Sequence, residues 1–175
     1  VLGNEAVSPT GEGRSYGLEL LYQQKLSKNF YGILAITLFK SEFTDLNGDF
    51  LPSVWNSGQL VSFTGGYKFG KNWEVSARYR FAGRTPFPPT DIARSTLAYP
   101  ILILDYNNLG NQTLDPFNQL DLRIDKKWNF KALALNVYLE FQNALLQQNP
   151  QPPSYGLDRD EKGSVVEPIR LVEIE

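Results

Sequence analysis

WEVSARYRFAG, residues 73–83, alternates apolar and polar side chains along its length. Trp73, Val75, Ala77, Tyr79 and Phe81 fall on one face. Glu74, Ser76, Arg78, Arg80 and Ala82 fall on the other. Successive side chains leave opposite sides of a pleated backbone, so a period of two means a strand. The apolar face begins and ends in aromatics, and the polar face carries full charges. In a soluble sandwich the apolar face packs on a second sheet. In a membrane barrel it faces lipid, and the charges face a wet lumen.

The rest of the chain limits the chemistry open to such a strand. Its 175 residues suffice for one domain with a core. A net charge of −2 gives no bulk attraction to nucleic acid, so no nucleic-acid partner is expected. There is no cysteine, hence no disulfide framework, thiol nucleophile or cysteine-bound zinc. There is no histidine, which removes the commonest general base and metal ligand and every Ser-His-Asp arrangement. Without cysteine or histidine, any catalysis would rest on carboxylates and serine. Methionine is absent even from position 1, so the chain is expected to be processed or a fragment. No signal peptide and no apolar run of transmembrane-helix length occurs; the longest apolar cluster is Tyr99–Leu104.

The same alternation recurs outward from residues 73–83. Polar, glycine-containing Val1–Gly13 reads as a loop. Strands are predicted near 14–26, 30–43, 59–69, 73–83, 117–128 and 133–143. The first sets Tyr16, Leu18, Leu20 and Tyr22 against Gly17, Glu19, Leu21 and Gln23. In the second, Leu34, Ile36 and Leu38 are assigned to the apolar face, although Ile33 and Phe39 compete with them. The third sets Val61, Phe63, Tyr67 and Phe69 on one face, the fifth Leu120, Leu122 and Ile124, and the sixth Leu133, Leu135, Val137, Leu139 and Phe141. Tyr67, Phe69 and Trp73 gather beside one tight turn, where a membrane interface places aromatic rings. Long connections are read at 44–58, 84–116 and 147–175. The second holds Pro86, Pro88, Pro89 and Pro100 and possesses one candidate short strand, Ile101–Leu104. The third ends in a candidate strand, Ile169–Ile174.

Connections alternate in length. After the first, third and fifth strands they span a few residues; after the second, fourth and sixth, about fifteen or more. An antiparallel up-and-down meander puts the short ones on one side and the long ones on the other, as outer-membrane barrels do. Greek-key sandwiches rarely keep that rhythm. The strands are also longer than the usual ~5–6 residues of soluble sheets. The fold class expected is all-β, an open section of a transmembrane β-barrel spanning residues 1–175.

The motifs, in order, are GEGRSYGLELLYQQKLSKNFYG (11–32), GGYKFGKNWEVSARYRFAGRTPFPP (65–89), FNQLDLRIDKKWNF (117–130), LNVYLEFQNALLQQN (135–149) and SYGLDRDEKG (154–163). Together they resemble the C-terminal barrel of TonB-dependent outer-membrane receptors of the Bacteroidetes type. The resemblance implies a bacterial outer-membrane location and uptake of a large or scarce solute, such as a siderophore, cobalamin or glycan, with no catalytic residue, no cofactor, no resident metal and no enzymatic activity. It implies as partners the outer-membrane lipid, a plug domain and remaining strands of the same protein, and the TonB complex acting through an N-terminal part not in this sequence. It further implies that these are the penultimate six strands of a barrel of roughly twenty-two. Two departures stand out. After Trp55 the sequence runs Asn56-Ser57-Gly58-Gln59, without the family's frequent Asp and His. No closing strand ending in an aromatic follows Glu175.

Candidate functional residues follow from the phasing. Glu19, Arg78, Arg80, Asp121, Arg123, Asp125 and Glu140 are candidates to line a transport path; the simpler reading is that they pair with one another in a wet lumen. Loop aromatics Phe87, Tyr99, Tyr106 and Phe117 are candidate ligand contacts. Glu42, Asp45, Asn47 and Asp49 have a spacing that can wrap calcium, but Gly48 and Phe50 break the EF-hand pattern, and an Asn-Gly turn explains them more simply. Asp158, Asp160 and Glu161 invite the same idea with less support. Gly11, Gly13 and Gly17 precede a strand rather than a helix, so they make no phosphate loop. Two other classes remain: a soluble all-β binding or structural domain whose apolar faces pack on each other, and a passive porin-like barrel or barrel enzyme. The soluble class expects a two-layer fold; the transporter class expects one layer with its apolar face bare.

Overall fold

A computed structural model describes residues 11–45, 47–98, 101–152, 155–156 and 169–170. The chain is all-β. Eleven strands occur among the described residues: β1 Gly13–Ser27, β2 Phe30–Thr44, β3 Phe50–Pro52, β4 Gln59–Phe69, β5 Trp73–Ala82, β6 Pro86–Phe87, β7 Gln112–Thr113, β8 Phe117–Asn129, β9 Ala134–Phe141, β10 Tyr155–Gly156 and β11 Ile169–Arg170. The main sheet runs β1-β2-β4-β5-β8-β9, every neighbour antiparallel, with β3 added beside β2. It is an up-and-down meander, and it is not closed: β1 and β9 are its two edges.

Register settles the faces, because directly opposed residues share a side. One continuous row is Tyr22, Leu34, Phe63, Tyr79 and Leu120; another is Gly65, Ala77, Leu122 and Phe141. Leu34, Ile36 and Leu38 therefore lie on the apolar face, as expected. The opposite face carries the row Gln23, Ile33, Thr64, Arg78 and Asp121. A one-residue slip in any strand would invert its side chains, so six strands with one consistent apolar side define the register strongly.

The sheet is a single layer. Among the described residues Leu109 is the one hydrophobic side chain in the buried class, and it lies in a loop. The apolar face stands open: Leu18 is 70% exposed, Leu20 57% and Leu139 56%. No second sheet covers it among the described residues. A globular fold of this length would bury that face, since apolar surface in water costs about 25 cal/mol per Å².

Turn chemistry explains the tight ends. Lys28 and Asn29 both take positive φ, 47° and 74°, between the paired residues Ser27 and Phe30. That is the two-residue geometry whose twist matches flanking strands. Gly70 (φ 52°) and Asn72 (φ 62°) make the second turn, and the third reverses at residues 130–133, where the Phe130 N–H donates to the Leu133 carbonyl at 2.8 Å.

Several boundaries differ from the sequence reading. The connection 44–58 contains β3, whose residues extend the β2 hairpin. The sixth strand ends at Phe141, not residue 143, because Asn143 turns the chain with φ 52°. Residues 84–116 are not simply irregular. They hold the β6–β7 pair, a helix α1 (Ile92–Leu97) and a 3-10 turn (Tyr106–Asn108). Asp91 caps α1 by accepting from the Arg94 N–H at 2.9 Å, and Ser95, fully buried, accepts from the Ile103 N–H at 2.9 Å. Ile101–Leu104 is no strand: Leu104 makes a single bridge to Thr90. Pro86, Pro88 and Pro89 supply no N–H to a ladder, so pairing here stays fragmentary. Of the proposed strand Ile169–Ile174, Ile169–Arg170 pairs with Tyr155–Gly156; the remainder lies outside the described residues.

Candidate functional site: the charged face of the sheet

β5, β8 and β9 bring most of the predicted charges into one network. Cross-strand register places Arg78 opposite Asp121, Arg80 opposite Gln119, and Arg123 opposite Glu140. Asp121 is the hub. Its Oδ2 accepts from Arg78 Nε at 3.0 Å and Nη2 at 2.8 Å. Its Oδ1 accepts from Gln119 Nε2 and from the Asn143 backbone N–H, each at 2.9 Å. Arg80 Nη2 stands 4.0 Å from the same carboxylate and donates to Gln119 Oε1 at 2.9 Å. The Asp121 side chain is 4% exposed, whereas Arg78 is 47% exposed. The carboxylate is thus dehydrated by its own donors, while the guanidinium keeps water.

A second group lies beside it. Arg123 donates to both oxygens of Asp125, at 2.8 and 2.7 Å, and reaches Glu140 at 3.7 Å. Its guanidinium sits 3.8 Å from the centre of the Tyr138 ring. Asn136 donates to Asp125 Oδ1 at 3.2 Å. Glu74 faces Asp125 across β5 and β8, a like-charge pairing that destabilises in isolation. It is offset by Arg123 on Asp125, and by Lys68 (3.8 Å) and a hydrogen bond from the Tyr31 hydroxyl on Glu74.

Tyr31 owes its position to a glycine. A Cβ on Gly66 would lie 2.6 Å from the Tyr31 hydroxyl oxygen and 2.7 Å from the ring, so only glycine lets the ring lie flat against β4. Beside it, Gln23, Lys25, Ile33, Thr64, Lys68 and Glu74 help line a recess of about 450 Å³. The sequence reading missed the Tyr31–Glu74–Lys68 group. The alternation of β2 contained the signal, since Tyr31 falls out of phase with Leu34 and Ile36.

Glu19 stands apart. It lies on β1 opposite Thr37, outside the network of β5, β8 and β9. The loop aromatics are likewise scattered. Phe87 is in β6 and Tyr106 in the 3-10 turn, 54% exposed. Phe117 is not a loop residue: it is the first residue of β8, opposite Ala82, with the Arg80 guanidinium 6.0 Å from its ring centre. Tyr99 lies outside the described residues, as do Asp158, Asp160 and Glu161.

The acidic loop resolves into a turn. Asp45 Oδ1 accepts from the Asn47 and Asp49 N–H groups, each at 2.8 Å, and Oδ2 accepts from Asn47 Nδ2 at 3.2 Å. Gly48 supplies the positive φ, 88°. Glu42 points elsewhere: it pairs with Arg14 at 2.7 Å and Lys40 at 2.6 Å. The Asp45 and Glu42 carboxylates are engaged with their own neighbours, which is the Asn-Gly turn reading rather than an ion cage.

Chemically, the charged face offers fixed, paired charges along a hydrated surface. Its carboxylates are held by guanidinium and amide donors, an arrangement suited to orienting polar solutes and water. No protein-family model matches the chain, and no curated protein or solved structure matches it either.

Proposed function

We propose that this chain is a section of the wall of a bacterial outer-membrane barrel, and that the barrel belongs to an energised uptake receptor of the TonB-dependent kind. The observation that carries the membrane half of this reading is the bare apolar face, continuous across six strands and backed by a charged one. From Trp73 to Phe81 the apolar row of β5 extends about 26 Å along the strand at ~3.3 Å per residue. Tilted by ~40°, that is about 20 Å before the terminal rings add their own length, close to the ~25 Å band of outer-membrane barrels. Phe30, Tyr67, Phe69, Trp73 and Trp128 gather toward the short-turn end, and Tyr16 and Phe81 toward the other. Paired rings at both limits of an apolar band are the pattern of interfacial girdles. The short and long connections fall on opposite ends of the sheet, which supports short periplasmic turns and long outer loops.

In this reading the network around Asp121 and Arg123 lines the lumen, and residues 84–116 form an outer loop. The open edges of β1 and β9 pair with further strands of the same protein, since two long unpaired edges invite uncontrolled association. The energised half of the reading rests on the resemblance of the ordered motifs. The test is uptake by cells with and without the gene, with the protein located by fractionation. Location in the outer membrane with solute uptake abolished by a proton uncoupler supports the proposal. Outer-membrane location with uncoupler-insensitive passage makes it a passive pore. Recovery in the soluble fraction overturns it.

A further inference from the structure

The two ends of the sheet differ in charge in a way the transport reading does not use. Each of the three short turns carries one exposed lysine: Lys28, Lys71 and Lys131. None of these three makes an ion pair among the described residues. At the long-loop end, by contrast, Arg14 and Lys40 are held by Glu42, Arg84 by Asp115 and Arg94 by Asp91.

Lys126 connects the lysine rim to the apolar face. It lies opposite Trp73 and Val137, so it shares the side of the apolar rows. Its ammonium sits 4.9 Å from the Trp73 ring centre and 5.6 Å from that of Trp128, and it donates to the Lys71 carbonyl. The aliphatic stem thus runs along the apolar surface while the charge is carried to the turn level. Trp73 also stacks on Phe69, with centroids 6.5 Å apart. A cation set between two indoles at the limit of an apolar band sits where lipid phosphates would lie.

We propose that the short-turn rim is a binding surface for anionic phospholipid headgroups, with Lys28, Lys71 and Lys131 reaching the phosphate layer and Lys126 fixing its depth. This rests on the membrane-barrel reading. Lipid is favoured as the occupant because the lysines are continuous with the apolar band, and a partner that binds the band and the rim together must itself be amphipathic. Each lysine near an anionic surface contributes about 1 kcal/mol, a roughly fivefold effect. Three together give on the order of a hundredfold.

The test uses the full-length protein refolded into vesicles of phosphatidylcholine alone, or phosphatidylcholine with phosphatidylglycerol. Binding of the folded protein to phosphatidylglycerol is read by quenching of tryptophan with brominated lipid. The wild type is expected to prefer phosphatidylglycerol, and Lys28→Gln/Lys71→Gln/Lys131→Gln to lose most of that preference. Arg14→Gln/Lys40→Gln, at the other end, is expected to keep it. Salt provides a check that needs no variant: the wild-type preference should fall steeply as ionic strength rises. Folding in both lipids with no preference, or a preference insensitive to both salt and substitution, overturns the headgroup inference, leaves the barrel reading standing and reassigns the rim to a soluble acidic partner. Failure to enter either vesicle overturns both.

Discussion

The reserve pairing at Asp121 yields the most demanding prediction. Arg78 makes two bonds to this carboxylate, and Arg80 waits 4.0 Å away. Replacing Arg80 with alanine removes a half-exposed contact and should cost under about 1 kcal/mol. Replacing Arg78 removes two charge-assisted bonds, but Arg80 can close on the vacated oxygen, so the loss should be about 1 kcal/mol. Replacing both leaves a carboxylate that is 4% exposed without any cation. Removing the partners of a buried charge costs about 3–5 kcal/mol, and the water admitted by two lost side chains favours the lower end, about 3. The double variant should therefore exceed the sum of the singles by about 1 kcal/mol. Equilibrium urea unfolding of the full-length protein in vesicles, followed by tryptophan fluorescence, measures this. Additivity within about 0.3 kcal/mol, or a double variant costing under 1, would refute the view that Asp121 is a dehydrated hub with a second cation in reserve.

Three further outcomes test other parts of the account. Leu122→Arg, in the middle of the apolar rows, should destabilise by about 2–4 kcal/mol, whereas Ser62→Arg on the charged face should cost less than 1; equal costs in urea unfolding would contradict the face assignment. Gly66→Ala forces the Tyr31 ring off β4 and should cost about 1–2 kcal/mol, with Tyr31→Ala in the same chain relieving part of it; no relief would mean the clash is not with Tyr31. Asp45→Ala removes the acceptor of two backbone N–H groups, so hydrogen exchange at Asn47 and Asp49 should quicken by roughly tenfold while β2 stays protected; unchanged exchange there would show that the turn is closed by something else.

The meander was legible in the sequence because its physics is local. Alternation in residues 73–83 needs only a pleat, and Gly70 and Asn72 mark a turn by their tolerance of positive φ. Six strand positions followed, most within a residue or two. What the sequence hid was pairing at a distance. That Arg78 meets Asp121 and Arg123 meets Glu140 depends on register between strands separated by long connections. Glu19 looked the same as those charges in sequence and joined none of them, because β1 sits at the far edge. The order within 84–116 was masked by prolines that signal loop, while the capping of α1 by Asp91 and the burial of Ser95 emerge only once the segment folds back on itself. Gly66 gave no warning either; its reason is a ring from the neighbouring strand.

The central claim is that the apolar face touches lipid and the charged face touches water. These 175 residues contain no cysteine, so a single cysteine placed among them can be spin-labelled once any cysteine elsewhere in the full-length protein is replaced by serine. Labels at successive positions 75 to 80 of β5, in the full-length protein in vesicles, would be probed for collisions with oxygen, which concentrates in lipid, and with a water-soluble nickel chelate. The account predicts a period of two: oxygen access at 75, 77 and 79, and chelate access at 76, 78 and 80. Low access to both reagents at 75, 77 and 79 would mean that protein covers that face, and would contradict the membrane-barrel reading.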